Sequence, residues 1–291
     1  MLRALGLAVL VAGCGASPRL LGEKIDRQGV ISDRVATLRA EARAEWERRG
    51  DETALRAAID RWREVIELRD DDREAYLMLA RAHFFLGDGY LVFDPRRKDE
   101  LAAAFETGIA YADRGLRALS PAFERRRRDG KDVEDSLEGL PPEAVPYLYW
   151  YANNLLRWAH VRGTFTIMGE YKRAHRLMSV VEKLDPGYFY GGADRYFGAF
   201  LCGAPGIAGG DLEDGKKRLD ASLRRAPDFF ETRILVAELY AVKTHDRALY
   251  ESTLRYVLDT PLERLPEAAP ENERARKKAR NLLEMTERRF K

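Results

Sequence analysis

One spacing recurs along this chain and leaves little choice of fold. In Glu170–Pro186 (EYKRAHRLMSVVEKLDP) the small or apolar residues Ala174, Met178 and Val181 fall on one helical stripe, and Pro186 stops the helix five residues after the last of them. Gly215, Leu219, Ser222 and Pro227 repeat the frame, as do Ala58, Trp62 and Val65 with Asp70 in the proline's place. Looser copies, with one more residue before the stop, run through Gly108, Ala112, Gly115 and Pro121 and from Ala248 to Pro261. A small residue at the first position admits a neighbouring helix, the next two fill the gap, and the proline turns the chain into the next pair.

This is the frame of the second helix of a tetratricopeptide-type (TPR) hairpin. It predicts an all-α chain of TPR-like antiparallel hairpins stacked into a superhelical bundle. A capping helix, Glu271 to Arg289, closes it, with Arg274, Arg276, Lys277, Lys278 and Arg280 outside. With 45% hydrophobic and 34% charged residues set at helical spacing, little Val, Ile or Thr alternation remains for a sheet. A formal charge of +2 and the absence of a nucleic-acid motif argue against a nucleic-acid partner.

The first residues set the compartment. Arg3, the apolar run Ala4 to Ala12 and Val11-Ala12-Gly13-Cys14 match a bacterial lipobox. Residues 1–13 are expected to be a signal peptide, 14–31 a lipidated Cys14 and its tether, and 32–291 a single helical domain. Covalent lipid would hold the protein to the membrane, and Gly15 in place of a retention Asp points to the periplasmic side of the outer membrane. A lipidated Cys14 cannot pair with Cys202, which reads as a small buried hydrophobe.

Several stretches depart from plain repeat character. Gly87 to Pro95 (GDGYLVFDP) is an insertion whose apolar residues either cover the core or line a site. Phe123 to Glu138, with the run Arg125 to Arg128, reads as the most polar and least anchored part. Glu143 to Arg162 is rich in aromatics on every face, with Asn153 and Asn154 in mid-helix. His83 reads as a packing residue and His175 as facing solvent or a partner helix, since no metal motif surrounds any of the four histidines. Gly210-x4-Gly215-Lys216-Lys217 imitates a phosphate loop but lacks the magnesium-holding Ser or Thr and is flanked by Asp211, Glu213 and Asp214. No nucleophile and base pair, metal cluster or cofactor motif remains, so the reading is non-enzymatic, with no catalytic or metal residues and no cofactor.

The lipobox, Pro146-Tyr147-Leu148-Tyr149-Trp150, Leu184-Asp185-Pro186-Gly187-Tyr188 with Gly191-Gly192 and Arg195-x-x-Gly198, and Ala204 to Asp211 together resemble the TatT family. These are TPR lipoproteins associated with tripartite ATP-independent periplasmic (TRAP) transporters, their T component. Ala193 stands where that family is expected to have proline. The resemblance implies a ligand-sized channel or cavity, association with the periplasmic solute-binding subunit, a homotrimer, and handling of hydrophobic ligands such as organic acids or lipids. Carried onto this chain it makes Tyr147, Trp150, Tyr151, Asn154, Trp158, Tyr188, Tyr190, Arg195 and Tyr196 the cavity candidates, with loop glycines Gly191, Gly192, Gly209 and Gly210. Arg195 would meet an acidic head group while the rings hold an apolar tail. The alternative is a TPR scaffold lipoprotein for cell-envelope assembly.

Overall fold

A computed structural model describes residues 27–291; the expected signal peptide, Cys14 and most of the tether lie outside the described residues. No strand occurs among the described residues. The order is α1 (Arg27–Glu47), α2 (Glu52–Leu68), α3 (Arg73–Gly89), α4 (Lys98–Leu119), α5 (Pro121–Arg128), α6 (Val145–Arg162) and α7 (Thr164–Leu184). Then come α8 (Tyr188–Gly203), α9 (Leu212–Arg225), α10 (Glu231–Leu235), α11 (Arg247–Asp259), α12 (Ala269–Glu284) and α13 (Thr286–Arg289). A π-helical segment, Val236–Ala241, continues α10. Neighbouring pairs α1·α2, α3·α4, α6·α7 and α8·α9 pack as hairpins, and α4 also lies against α6.

The recurrent frame is buried where neighbouring helices meet, within a hairpin or between successive ones. Ala58, Trp62 and Val65, Gly108, Ala112 and Gly115, Ala174, Met178 and Val181, and Gly215, Leu219 and Ser222 are all buried. The small positions allow close approach. A Cβ on Gly108 would meet the Asn154 amide at 2.5 Å, and one on Gly215 would meet Cys202 Sγ at 2.5 Å. The copy in α11 differs, because Ala248 is exposed and the buried stripe is Tyr250, Leu254 and Val257. Ser32 and Asp33 lie inside α1. Asp51 caps α2, its carboxylate accepting from Thr53 N at 2.6 Å.

Two expectations are corrected. The polar stretch after Pro121 is anchored: Ser120 caps α5, Phe123, Val133, Leu137 and Leu140 enter the core, and Arg126 donates to the carbonyls of Ser136 and Glu138. Four apolar anchors at wide spacing hold a segment whose composition is polar. The terminal helix breaks at Met285 into α12 and α13, and its cations do not all face outward. Ala275, Ala279 and Leu282 pack on α10 and α11, as a cap should. Arg274 donates to Gly50 O at 2.9 Å, and Lys278 bonds Asp88 at 2.9 Å, so α12 returns to the start of the array. Among the described residues no helix is long and apolar enough to cross a membrane.

Candidate functional site

Where α12 meets the turn between α1 and α2 and meets α3, rings and guanidinium groups from α1, α3, α6 and α8 converge. The local cause is the entry to α8. Phe189, Tyr190 and Gly191 have φ of 46°, 59° and 68°, three successive residues in the left-handed region. Bulky side chains rarely take that region, at about 1–3 kcal/mol each, and such segments persist only where surroundings hold them. Arg195 does the holding. One turn into the helix, its Nη1 donates to Tyr190 O at 2.9 Å and its Nη2 to Phe189 O at 3.0 Å and to the Tyr149 hydroxyl at 2.7 Å. Gly192 lets Tyr149 lie against the backbone, since a Cβ there would be 2.9 Å from its Cζ.

The turn throws Phe189 and Tyr190 inward. Tyr190 stacks on Phe229 with centroids 4.6 Å apart, and Phe189 sits edge-on to Trp150 at 4.7 Å. Arg195 lies 4.7 Å from the Phe229 centroid and 5.9 Å from that of Phe189. Arg81 of α3 stands 4.8 Å from Trp46, 5.6 Å from Trp150 and 5.2 Å from Phe189, so Phe189 lies beside two guanidiniums. Arg49, 4.7 Å from Trp46, and Arg81 share Glu271 of α12, at 2.8 and 3.2 Å. Among the described residues Arg195 has no carboxylate within ion-pair distance, whereas its neighbour Asp194 takes both Arg218 and Arg225. Two guanidiniums therefore share one carboxylate beside the rings, and Arg195 lies among the same rings outside that pairing.

A second cluster lies further along α3 and α12. Asp88 pairs with Arg157 at 2.8 Å and Lys278 at 2.9 Å, and Lys278 also reaches Glu231 at 3.1 Å. Burial would raise the Asp88 carboxyl, but the two cations outweigh it and hold the group below the usual carboxylate range. Glu238, on the π-helical segment, is pushed up by burial and by Glu231, although Arg289 stands 3.4 Å away.

The expected site residues do not all converge. Trp150, Tyr188, Tyr190 and Arg195 join the junction, where Tyr188 lies 5.2 Å from Tyr149. Tyr147 points to α3, donating to Arg73 O at 2.7 Å, and Asn154 is fully buried, its amide donating to Ala80 O and Trp150 O. Tyr151, whose hydroxyl burial pushes up to about 12, lies on another face. Tyr196 belongs with Phe197 and His175 on the α7 side, its hydroxyl unpartnered, and Trp158 lies under Arg162 at 5.6 Å. Gly209 (φ 86°) and Gly210 shape the loop after α8. Gly210 lines an open surface hollow of about 380 Å³ with Leu201, Pro205, Asp211 and Lys243, away from the rings. The apolar insertion splits: Leu91 is buried, while Tyr90 and Phe93 lie under Arg274 and Lys277 at 3.7 and 3.9 Å.

Sequence reasoning missed Trp46, Arg49, Arg81, Phe189, Phe229 and Glu271. A usable signal lay in α3, where Leu77, Arg81, Phe84 and Asp88 share one face and alternate apolar with charged side chains. The reach from Arg49 to Glu271 leaves no local trace.

The fold and this junction define an all-α protein of stacked helical hairpins with an interior of rings and guanidiniums. The chain matches the TAtT family, TRAP transporter T-component, over residues 94–290, and it belongs to that family. It is thus an accessory component of a TRAP transporter. No curated protein matches the chain.

Proposed function

We propose that this T component works without catalysis, as a lipid-anchored, periplasm-facing partner of the solute-binding subunit that holds an apolar organic anion at the ring junction. The observation that carries the reading is Arg195, buried among Tyr149, Phe189 and Phe229 with no carboxylate of its own among the described residues. A buried guanidinium bonded only to carbonyl and hydroxyl oxygens keeps its charge unneutralised, and a ligand carboxylate supplies the missing anion. Phe189, Tyr190, Trp150 and Phe229 supply apolar surface for the rest of the molecule. The rings fill the junction themselves, so a ligand enters by moving side chains, foremost Phe189 on its left-handed backbone.

Native mass spectrometry of the protein purified from its own envelope is the test, followed by calorimetry with decanoate. The expected result is a bound monocarboxylate in the purified protein, decanoate binding, and co-purification of a solute-binding subunit. Protein that carries no small molecule and gives no heat with decanoate would refute the ligand reading. Failure to retain a solute-binding subunit would refute the partner reading.

A further inference from the structure

The return of α12 onto α3 and the turn between α1 and α2 is built unlike the rest of the molecule. The apolar cluster under α12, from Phe230 through Ala275, Ala279 and Leu282, contains no residue of α1 to α4, and the cluster of α1 to α4 contains none of α12. What joins them is polar or cationic. Glu271 takes Arg49 and Arg81, Arg274 donates to Gly50 O and covers Tyr90, Lys277 lies over Phe93, and Lys278 bonds Asp88. A seam held by long charged side chains opens at lower cost than one sealed by a shared core, and salt weakens it. Its central acid sits at the ring junction, on two of the three guanidiniums there.

We propose that Glu271 is an internal counter-ion for Arg49 and Arg81 which the anionic group of a ligand displaces, so that ligand entry loosens α12 from α3 and from the turn between α1 and α2. The inference rests on the reading of the junction as an anion site and adds how that site is regulated. Arg81 and Arg195 lie beside the same Phe189 ring, 5.2 and 5.9 Å from its centroid, so a carboxylate held by Arg195 draws Arg81 away from Glu271; each anion weakens the other's hold, and the coupling is reciprocal. Whatever opens the seam frees Arg49 and Arg81 and raises affinity. Lys278 and Asp88 act on the same equilibrium from about one and a half to two helical turns away, without touching the junction.

The test combines decanoate calorimetry with hydrogen exchange over Ala269–Glu284 in the full-length protein, its Glu271→Gln variant and its Lys278→Gln variant. Glutamine keeps the shape of Glu271, and Lys278→Gln loosens the seam while leaving every junction residue in place. The expected results are faster exchange in α12 for both variants and for the wild type with decanoate. Decanoate should bind roughly 10-fold more tightly to Glu271→Gln and less markedly more tightly to Lys278→Gln. Equal decanoate affinity in all three proteins, with exchange in α12 unchanged by ligand, would overturn the inference and leave the binding site standing. Faster exchange in the variants with no decanoate binding by any protein would overturn it by removing the anion site on which it rests.

Discussion

Gly115 offers a test of the recurrent frame. It sits in mid-α4, where a Cβ would lie well inside contact distance of Tyr147 Cδ1 and Cε1 and 3.3 Å from Tyr76 Cβ. For Gly115→Ala to fit, the Tyr147 ring must retreat roughly 1 Å to reach ordinary contact. Tyr147 has little freedom: it is 5% exposed and its hydroxyl is tied to Arg73 O at 2.7 Å. Overpacking costs about 1–3 kcal/mol and the strained hydrogen bond about 1 kcal/mol, while the better helix propensity of alanine returns about 1 kcal/mol. The net expectation is a loss of about 2 kcal/mol. Gly169 in α7 is the matched control, with nothing within 4 Å of its Cβ position. There the same substitution keeps only the propensity gain and stabilises by about 0.5–1 kcal/mol. Urea unfolding followed by circular dichroism reads both. Gly115→Ala as stable as the wild type, or the two variants shifting in the same direction, would refute the idea that small residues in the frame exist to admit the next helix.

Trp62, fully buried against Trp46 at 5.9 Å, should cost about 3–5 kcal/mol on replacement by alanine, read from the shift in urea midpoint. His83 packs on Tyr111 with both ring nitrogens unpartnered, and burial, helped by Arg63 and Arg56, lowers its pKa to about 4. The folded state then refuses a proton that the unfolded chain accepts below about pH 6.5, so stability is full above that pH and falls towards pH 4 by up to about 3 kcal/mol. A His83→Phe variant should lose that part of the acid sensitivity, and an unchanged pH profile would count against the assignment. Burial also pushes the Cys202 thiol up to about 11. It should ignore a thiol reagent at pH 8 until denaturant is added, and prompt native labelling would contradict this burial.

Much of the fold was legible because the frame is local. Ala174, Met178 and Val181 share a helix face by the 3.6-residue period alone, and Gly108, Ala112 and Gly115 are buried along α4 as the same period requires. The aromatic helix was legible as such, but not the division of its faces. Tyr147 and Asn154 turn to α3, while Trp150 turns to the junction. A helix with rings on every side gives no moment from which to choose. The left-handed entry to α8 could be suspected from Gly191-Gly192, yet Phe189 and Tyr190 take positive φ against their own preference. The Arg195 bonds, joined by the Ser222 hydroxyl donating to Tyr190 O at 3.3 Å, hold that turn.

By itself the sequence determined that this chain makes helices, which residues of the frame are buried in four of its copies, and where small residues let helices nest. Closure of the array was decided by tertiary structure. Whether α12 comes back to Arg49, Arg81 and Asp88 depends on the small rotation between successive hairpins, accumulated over more than 200 residues of chain from Arg49 to Glu271. No single contact encodes that sum, so the residues it brings together carry no shared pattern in the sequence.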